Sequence, residues 1–280
     1  MVENTVDGKF FVTARGWEDL SEILKSYEEL QVEIGEELIG EFLQKEEIAR
    51  DFAGYYRLYE KYKSDYQIQE ILDGNVTSRQ LKTCCDMGKK ASFEERFTVT
   101  EMLLEAVTER ISSFQKTDEK TEKLYRNLKL LKVFLQEKNS VEAMEQFIVS
   151  RRKALDAKIC SELLTAEEAA REEEQIRILE EYFFQLKELH ISDVAEGIEQ
   201  IGERFGNVCR LRNEKLEETK KMLEQAFSFL EECFGEGQEL LLFETGLTGD
   251  DRCSIFISQY GCPSYFKHCE LLLYSKKKMN

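Results

Sequence analysis

A single proline, Pro263, interrupts 280 residues. Proline removes a backbone donor and clashes with the preceding helical turn, so its near absence leaves most of this chain free to run as uninterrupted helix. The apolar pattern uses that freedom. Ile191, Val194, Ile198, Ile201, Phe205 and Val208 recur at alternating spacings of three and four, the a/d pattern of a coiled-coil seam, and Ile176, Leu179, Phe183 and Leu186 do the same upstream. Such a seam needs another helix against it. Long helices joined by short turns normally pack antiparallel, so the economical arrangement over 92–234 is an intramolecular three- or four-helix bundle, with an intermolecular coiled coil as the alternative.

The rest of the chain reads the same way. Trp17, Leu20, Ile23, Leu24 and Tyr27 share one helical face and predict a helix ending near Leu30, after an extended arm or loop in DGKFFVTARG. Glu36 to Gln44 gives a shorter helix, and Glu46 to Tyr66 a third with an aromatic stripe, Phe52, Tyr55, Tyr56, Tyr59, Tyr62 and Tyr66, read as core packing with phenol tips at the rim. Asp73-Gly74-Asn75 breaks the chain, and Thr77 or Ser78 caps the short helix after it. Capping boxes at Ser92/Glu95 and Thr165/Glu168 open longer helices, Ser140 opens another, and the polar run Lys116 to Glu119 reads as a break. Gly235-Glu236-Gly237 closes the bundle. Beyond it, 240–244 reads as extended, Pro263 as the first residue of a helix, and the terminal KKKMN as frayed. The expected fold is therefore all-α: a helical subdomain over 1–90, a long-helix antiparallel bundle over 91–236, and a small C-terminal α segment over 237–280 packing on the rest.

Charge narrows the partners. Lys and Arg total 39 against 56 Asp and Glu, a net charge of −17 that repels a phosphate backbone or an anionic lipid surface, so neither nucleic acid nor membrane is expected. The chain holds no apolar run of about 18 residues and no charged-then-apolar leader pattern, which reads as cytoplasmic. The eight cysteines lack the tight spacing of a disulfide framework and are expected to be reduced thiols filling core positions.

Chemistry is sparse. No G-x-x-x-x-G-K-[ST] string occurs, and Gly88-Lys89-Lys90-Ala91-Ser92, its nearest likeness, reads as an interhelical turn. With two histidines, triads and His-rich metal sites are nearly excluded. His190 falls on the seam four residues after Leu186, as a packed or rim imidazole. Cys253, Cys262, His268 and Cys269 are zinc-type ligands at spacings that do not suit zinc. No catalytic residue and no metal ligand is expected in this chain, and no E-x-x-H pair marks a di-metal bundle.

Thr13-Ala14-Arg15-Gly16-Trp17-Glu18-Asp19-Leu20-Ser21 resembles the sensor-2 region of MoxR-like AAA+ ATPases, where an arginine at the start of a lid helix precedes Trp-Glu and an apolar pair. The likeness extends through ARDFAGYYRLYEKYKSDYQIQEILDG and covers the first 90 residues; Ala14 stands where the family usually has proline. The resemblance implies that 1–90 is a lid-like subdomain and that Arg15 is the nucleotide-sensing arginine. It also implies that ATP and Mg act in a longer protein whose AAA+ core precedes this chain and mediates its oligomerisation. The family's role is chaperone-like remodelling or metal-loading of partners, often von Willebrand factor A domain proteins. Since the chain has no Walker A or B segment and begins where the lid would begin, it is expected to be the C-terminal part of such an ATPase. The alternatives are a free-standing helical adaptor or scaffold that binds partner proteins through its heptad faces and, more remotely, a metal-binding protein using the C-terminal cysteines.

Overall fold

The computed structural model describes residues 2–5, 8–30, 32–135 and 139–269. The fold is all-α apart from one antiparallel strand pair at the start, β1 (Val2–Thr5) and β2 (Gly8–Phe11), in which Val2 lies opposite Phe11. Eleven helices come after it among the described residues: α1 (Ala14–Glu29), α2 (Glu36–Phe42), α3 (Glu46–Tyr66), α4 (Ile68–Asp73), α5 (Ser78–Gly88), α6 (Phe93–Leu135), α7 (Ser140–Cys160), α8 (Ala166–Glu188), α9 (Val194–Phe234), α10 (Gln238–Gly249) and α11 (Asp251–Tyr260). Residues 263–269 are also helical, and the bond from Phe266 N to the Cys262 carbonyl makes Pro263 the first helical residue, as expected. KKKMN lies outside the described residues.

The chain divides into two compact units, neither a continuous stretch: 1–103 with 228–243, and 104–227 with 244–280. This differs from the three consecutive segments 1–90, 91–236 and 237–280. The division falls inside α6, α9 and α10: the turns at 89–92 and 235–237 do separate helices where the sequence signals place them, but each of these three helices has residues in both units.

In the first unit, Leu20 of α1, Ile39 and Leu43 around α2, and Ala49 and Ala53 of α3 form a core, with Leu24, Phe42 and Phe52 packed against it. Thr13 caps α1, its Oγ1 accepting from Gly16 N at 2.9 Å. Gly16 is needed for a close approach: a Cβ there would stand 2.8 Å from the Phe42 carbonyl oxygen. The aromatic stripe on α3 is core at Tyr56 and Tyr66, half-buried at Phe52, Tyr59 and Tyr62, and exposed at Tyr55. Tyr56 donates to Glu28 at 2.9 Å, and the fully buried Tyr66 donates to Glu95 at 2.8 Å. Burial, then the carboxylate partner, raises both phenols above their ordinary value. Thr77, not Ser78, caps α5, in a full capping box with Gln80. One correction falls here. Cys85 of α5 and Cys233 of α9 form a disulfide, not the reduced pair the sequence spacing predicted. Their separation of 148 residues is invisible to spacing rules, and α5 and α9 bring them together.

The second unit is a bundle of α6, α7, α8 and α9 around one apolar cluster that includes Leu124, Leu131, Phe147, Leu155, Ile176, Leu179, Leu186 and Ile201. Cross-helix contacts give the directions. Arg152 pairs with Glu180 and Lys158 with Glu172, so α7 and α8 run antiparallel. Asn127 meets Arg151 and Phe134 meets Phe147, so α6 and α7 do as well. Asp118 meets Arg212 and Tyr125 stacks on Phe205, so α6 and α9 also oppose.

Two expectations are corrected in this unit, at Lys116 to Glu119 and at His190. Lys116 to Glu119 does not break the chain: α6 runs 43 residues through it, since the stretch has neither glycine nor proline and its polar groups bond to α9, Asp118 to Arg212 and Thr117 to Lys215. Ser140 opens α7, as expected, with Asn139 as the cap before it; Ser140 itself is buried and donates to the Ile191 carbonyl at 2.8 Å. The heptad does not pass through His190, which is exposed at φ +56° in the turn between α8 and α9; Asp193 caps α9 by accepting from Ala195 N and Glu196 N. In the remaining connection, 240–244 is helical within α10, not extended. The Thr165/Glu168 box is fully formed, and the Thr165 backbone N–H and then its hydroxyl, both donating to the Glu168 carboxylate, hold that carboxyl below its ordinary value.

Candidate functional site

Arg15 stands in the first turn of α1, immediately after the Thr13 cap. Its side chain is 87% exposed, and it meets one carboxylate, Asp19, at 3.7 Å one turn on. An exposed pair of this kind holds its partners weakly. Trp17 sits edge-on to Phe52 at 5.1 Å and remains 38% exposed, so it anchors α1 to α3 while keeping one edge in solvent. The local geometry is thus a fixed helix start from which a loosely held guanidinium projects. Such a group suits a phosphate or carboxylate brought to it, through its planar fork of donors.

The zinc-type residues do not converge. Among the described residues no group of three or more His, Cys, Asp or Glu is placed to hold a metal ion. Cys253 bonds Thr108, Cys262 bonds Glu224, and His268 stacks on Phe227 with ring centroids 5.9 Å apart. Burial pushes the Cys253 thiol up to about 11 and the Cys262 thiol up to about 12, which makes them packing groups, not nucleophiles. Gly88 ends α5 against Phe234, where a Cβ would come within 2.7 Å of the ring, so the Gly88–Ser92 string is the turn between α5 and α6.

Sequence reasoning missed a second feature. Lys123, Arg126, Arg151 and Lys158 gather at one cleft among α6, α7 and α8. Each is an ordinary charged helix residue, and only the antiparallel register of α6 and α7 brings the two pairs together. No motif could have signalled it.

No protein-family model, curated protein or solved structure matches the chain. The functional reading rests on the residues and their placement. No helix among the described residues is long and apolar enough to cross a membrane.

Proposed function

We propose that this chain is the helical lid and long-helix extension of a MoxR-like AAA+ ATPase, with Arg15 as its nucleotide-sensing arginine. The observation that carries the reading is the placement of Arg15: at a capped helix start, exposed, and tied among the described residues only to the solvent-facing Asp19. A cation in that position is free to reach the terminal phosphates of ATP held with Mg by a AAA+ core of the same polypeptide. The four-helix bundle then serves as the rigid extension that docks partner proteins, von Willebrand factor A domain proteins among them, in chaperone-like remodelling in the cytoplasm. Oligomerisation belongs to the ATPase core. The test is ATP hydrolysis by the protein translated from its native reading frame. Arg15→Ala should slow turnover at least about tenfold with the fold intact; unchanged turnover contradicts the assignment.

A second reading, a free-standing helical adaptor, is favoured by a different observation. Leu130, Val133 and Phe134 are spaced for one face of α6 and are 49%, 63% and 41% exposed. Here Arg15 is a surface arginine and no nucleotide is involved. Charged substitution at Val133 would abolish partner capture in the adaptor and leave nucleotide turnover untouched in the ATPase.

A further inference from the structure

From Lys123 to Leu135, α6 carries no acidic residue, in a chain with 56 Asp and Glu. Its outer side over that stretch is both apolar and cationic. Tyr125, Leu130, Val133 and Phe134 are 47%, 49%, 63% and 41% exposed. Arg126 stands one helical turn before Leu130 and Lys129 one turn before Val133, with Lys132 three residues after Lys129, so the cations are interleaved with the apolar groups. Arg126 is paired with Glu122, and Lys129 lies 5.4 Å over the Tyr125 ring. Neither Lys129 nor Lys132 is in an ion pair among the described residues. Contiguous exposed apolar groups mark a binding surface, and the unpaired cations beside them select a negatively charged one.

α9 supplies a second, independent observation. Phe205 stacks on Tyr125 with ring centroids 5.8 Å apart, and Gly202 and Gly206 stand on either side of Phe205 in the interior of the helix. Both glycines are exposed, and a Cβ at either would meet nothing within 4 Å. Glycine weakens a helix interior, and neither packing within the chain nor a positive φ calls for it at these positions. What it does provide is a shallow surface that the backbone of another element can approach closely.

We propose that α6 from Tyr125 to Phe134, with the Gly202–Gly206 stretch of α9 beside it, is the docking surface for an acidic amphipathic helix of a partner protein. The partner's apolar stripe lies on Leu130, Val133 and Phe134, and its carboxylates meet Lys129 and Lys132. Charge decides among occupants. A second copy or an anionic membrane would have to approach a chain of net charge −17, whereas a single helix about 10 Å across can lie on the cationic face alone. The inference rests on the docking role that the bundle has in both functional readings and names the chemistry of the partner; it does not depend on Arg15.

The experiment is fluorescence anisotropy of a labelled synthetic peptide titrated with the full chain. The peptide has about 20 residues, with leucines at i, i+3, i+4 and i+7 spacing and glutamates elsewhere. Saturable binding with Kd below about 100 μM is expected. Lys129→Glu combined with Lys132→Glu should weaken it at least about tenfold, and so should Val133→Asp, all at exposed positions. Gly202→Leu should weaken the peptide with no loss of thermal stability. Absence of saturable binding by the wild-type chain, or binding indifferent to the double lysine variant, overturns the site. A concentration-dependent dimer in sedimentation that Val133→Asp disperses overturns the partner assignment in favour of a second copy. Co-sedimentation with phosphatidylserine vesicles that the double lysine variant loses overturns it in favour of lipid. ATP turnover unchanged by Arg15→Ala would contradict the ATPase reading and leave this surface standing.

Discussion

Arg212 holds Asp118 through two nitrogens on one carboxylate oxygen, Nε at 2.7 Å and Nη2 at 2.6 Å. The same guanidinium donates to the Tyr260 hydroxyl at 2.8 Å and lies over the Phe114 and Tyr260 rings at 5.2 and 5.5 Å. One side chain of α9 thereby joins α6 and α11. Burial and then the Asp118 carboxylate raise the Tyr260 phenol, while Arg212 opposes them. Lysine cannot reproduce a fork that bonds two groups and stacks on two rings. Arg212→Lys should cost about 1 kcal/mol and Arg212→Met about 2 kcal/mol, discounted because the pair is partly exposed to solvent. Urea unfolding measures both. A loss under about 0.5 kcal/mol for the methionine variant would show that the cluster does not hold these helices.

Two glycines of α9 should respond in opposite directions. At Gly197 a new Cβ would stand 2.5 Å from Ser140 Cβ, and Ser140 is fixed by its bond to the Ile191 carbonyl. At Gly206 it would meet nothing within 4 Å. Gly206→Ala should therefore stabilise by about 0.5–1 kcal/mol through helix propensity alone. Gly197→Ala gains the same propensity but must displace Ser140, for a net loss of about 1–2 kcal/mol. Thermal unfolding of the two variants decides; equal shifts would place α7 wrongly against α9.

The Cys85–Cys233 disulfide closes a loop of 148 residues. In the chain-entropy account, a loop of that length contributes up to about 5 kcal/mol. Reductant, or Cys233→Ala, should lower the unfolding temperature, and two fewer thiols than the eight in the sequence should titrate in denaturant before reduction. Eight titrating thiols would contradict the pairing.

Glu244 is 4% exposed, and its Oε1 has no hydrogen-bond partner among the described residues. Burial raises its carboxyl above the ordinary value, opposed by the nearby His268. A raised folded value means that the stability contributed by the neutral acid is present in acid and is lost as pH rises through that value. Glu244→Gln should remove this loss, so the variant gains on wild type as pH rises from about 4 toward 7. Parallel stability curves for the two proteins across that window would show Glu244 to be solvated in the fold.

The features legible in the sequence are those set by local physics. The spacing of Ile176, Leu179, Phe183 and Leu186 and the Thr165/Glu168 box marked α8 because a helix's neighbours lie three and four residues away. The misses needed information from distant parts of the chain. Lys116 to Glu119 looked like a break because its partners, Arg212 and Lys215, are far along the chain. The apolar run at 240–244 looked extended because periodicity cannot separate a buried strand from a buried helix. The turn at His190 was hidden by an apolar spacing that continued across it. Arg15 was placed at a helix start by its motif, whereas the cationic cleft required the register of α6 on α7, which no local pattern contains.

The central claim, that α1 is a nucleotide-sensing lid, is tested most directly by reading the genomic DNA upstream of the Met1 codon. An open frame continuing upstream into a strand, a G-x-x-x-x-G-K-[ST] loop and a helix is the predicted result. A stop codon a few codons upstream, with a ribosome-binding site placed for Met1, would contradict the claim and leave the adaptor reading in its place.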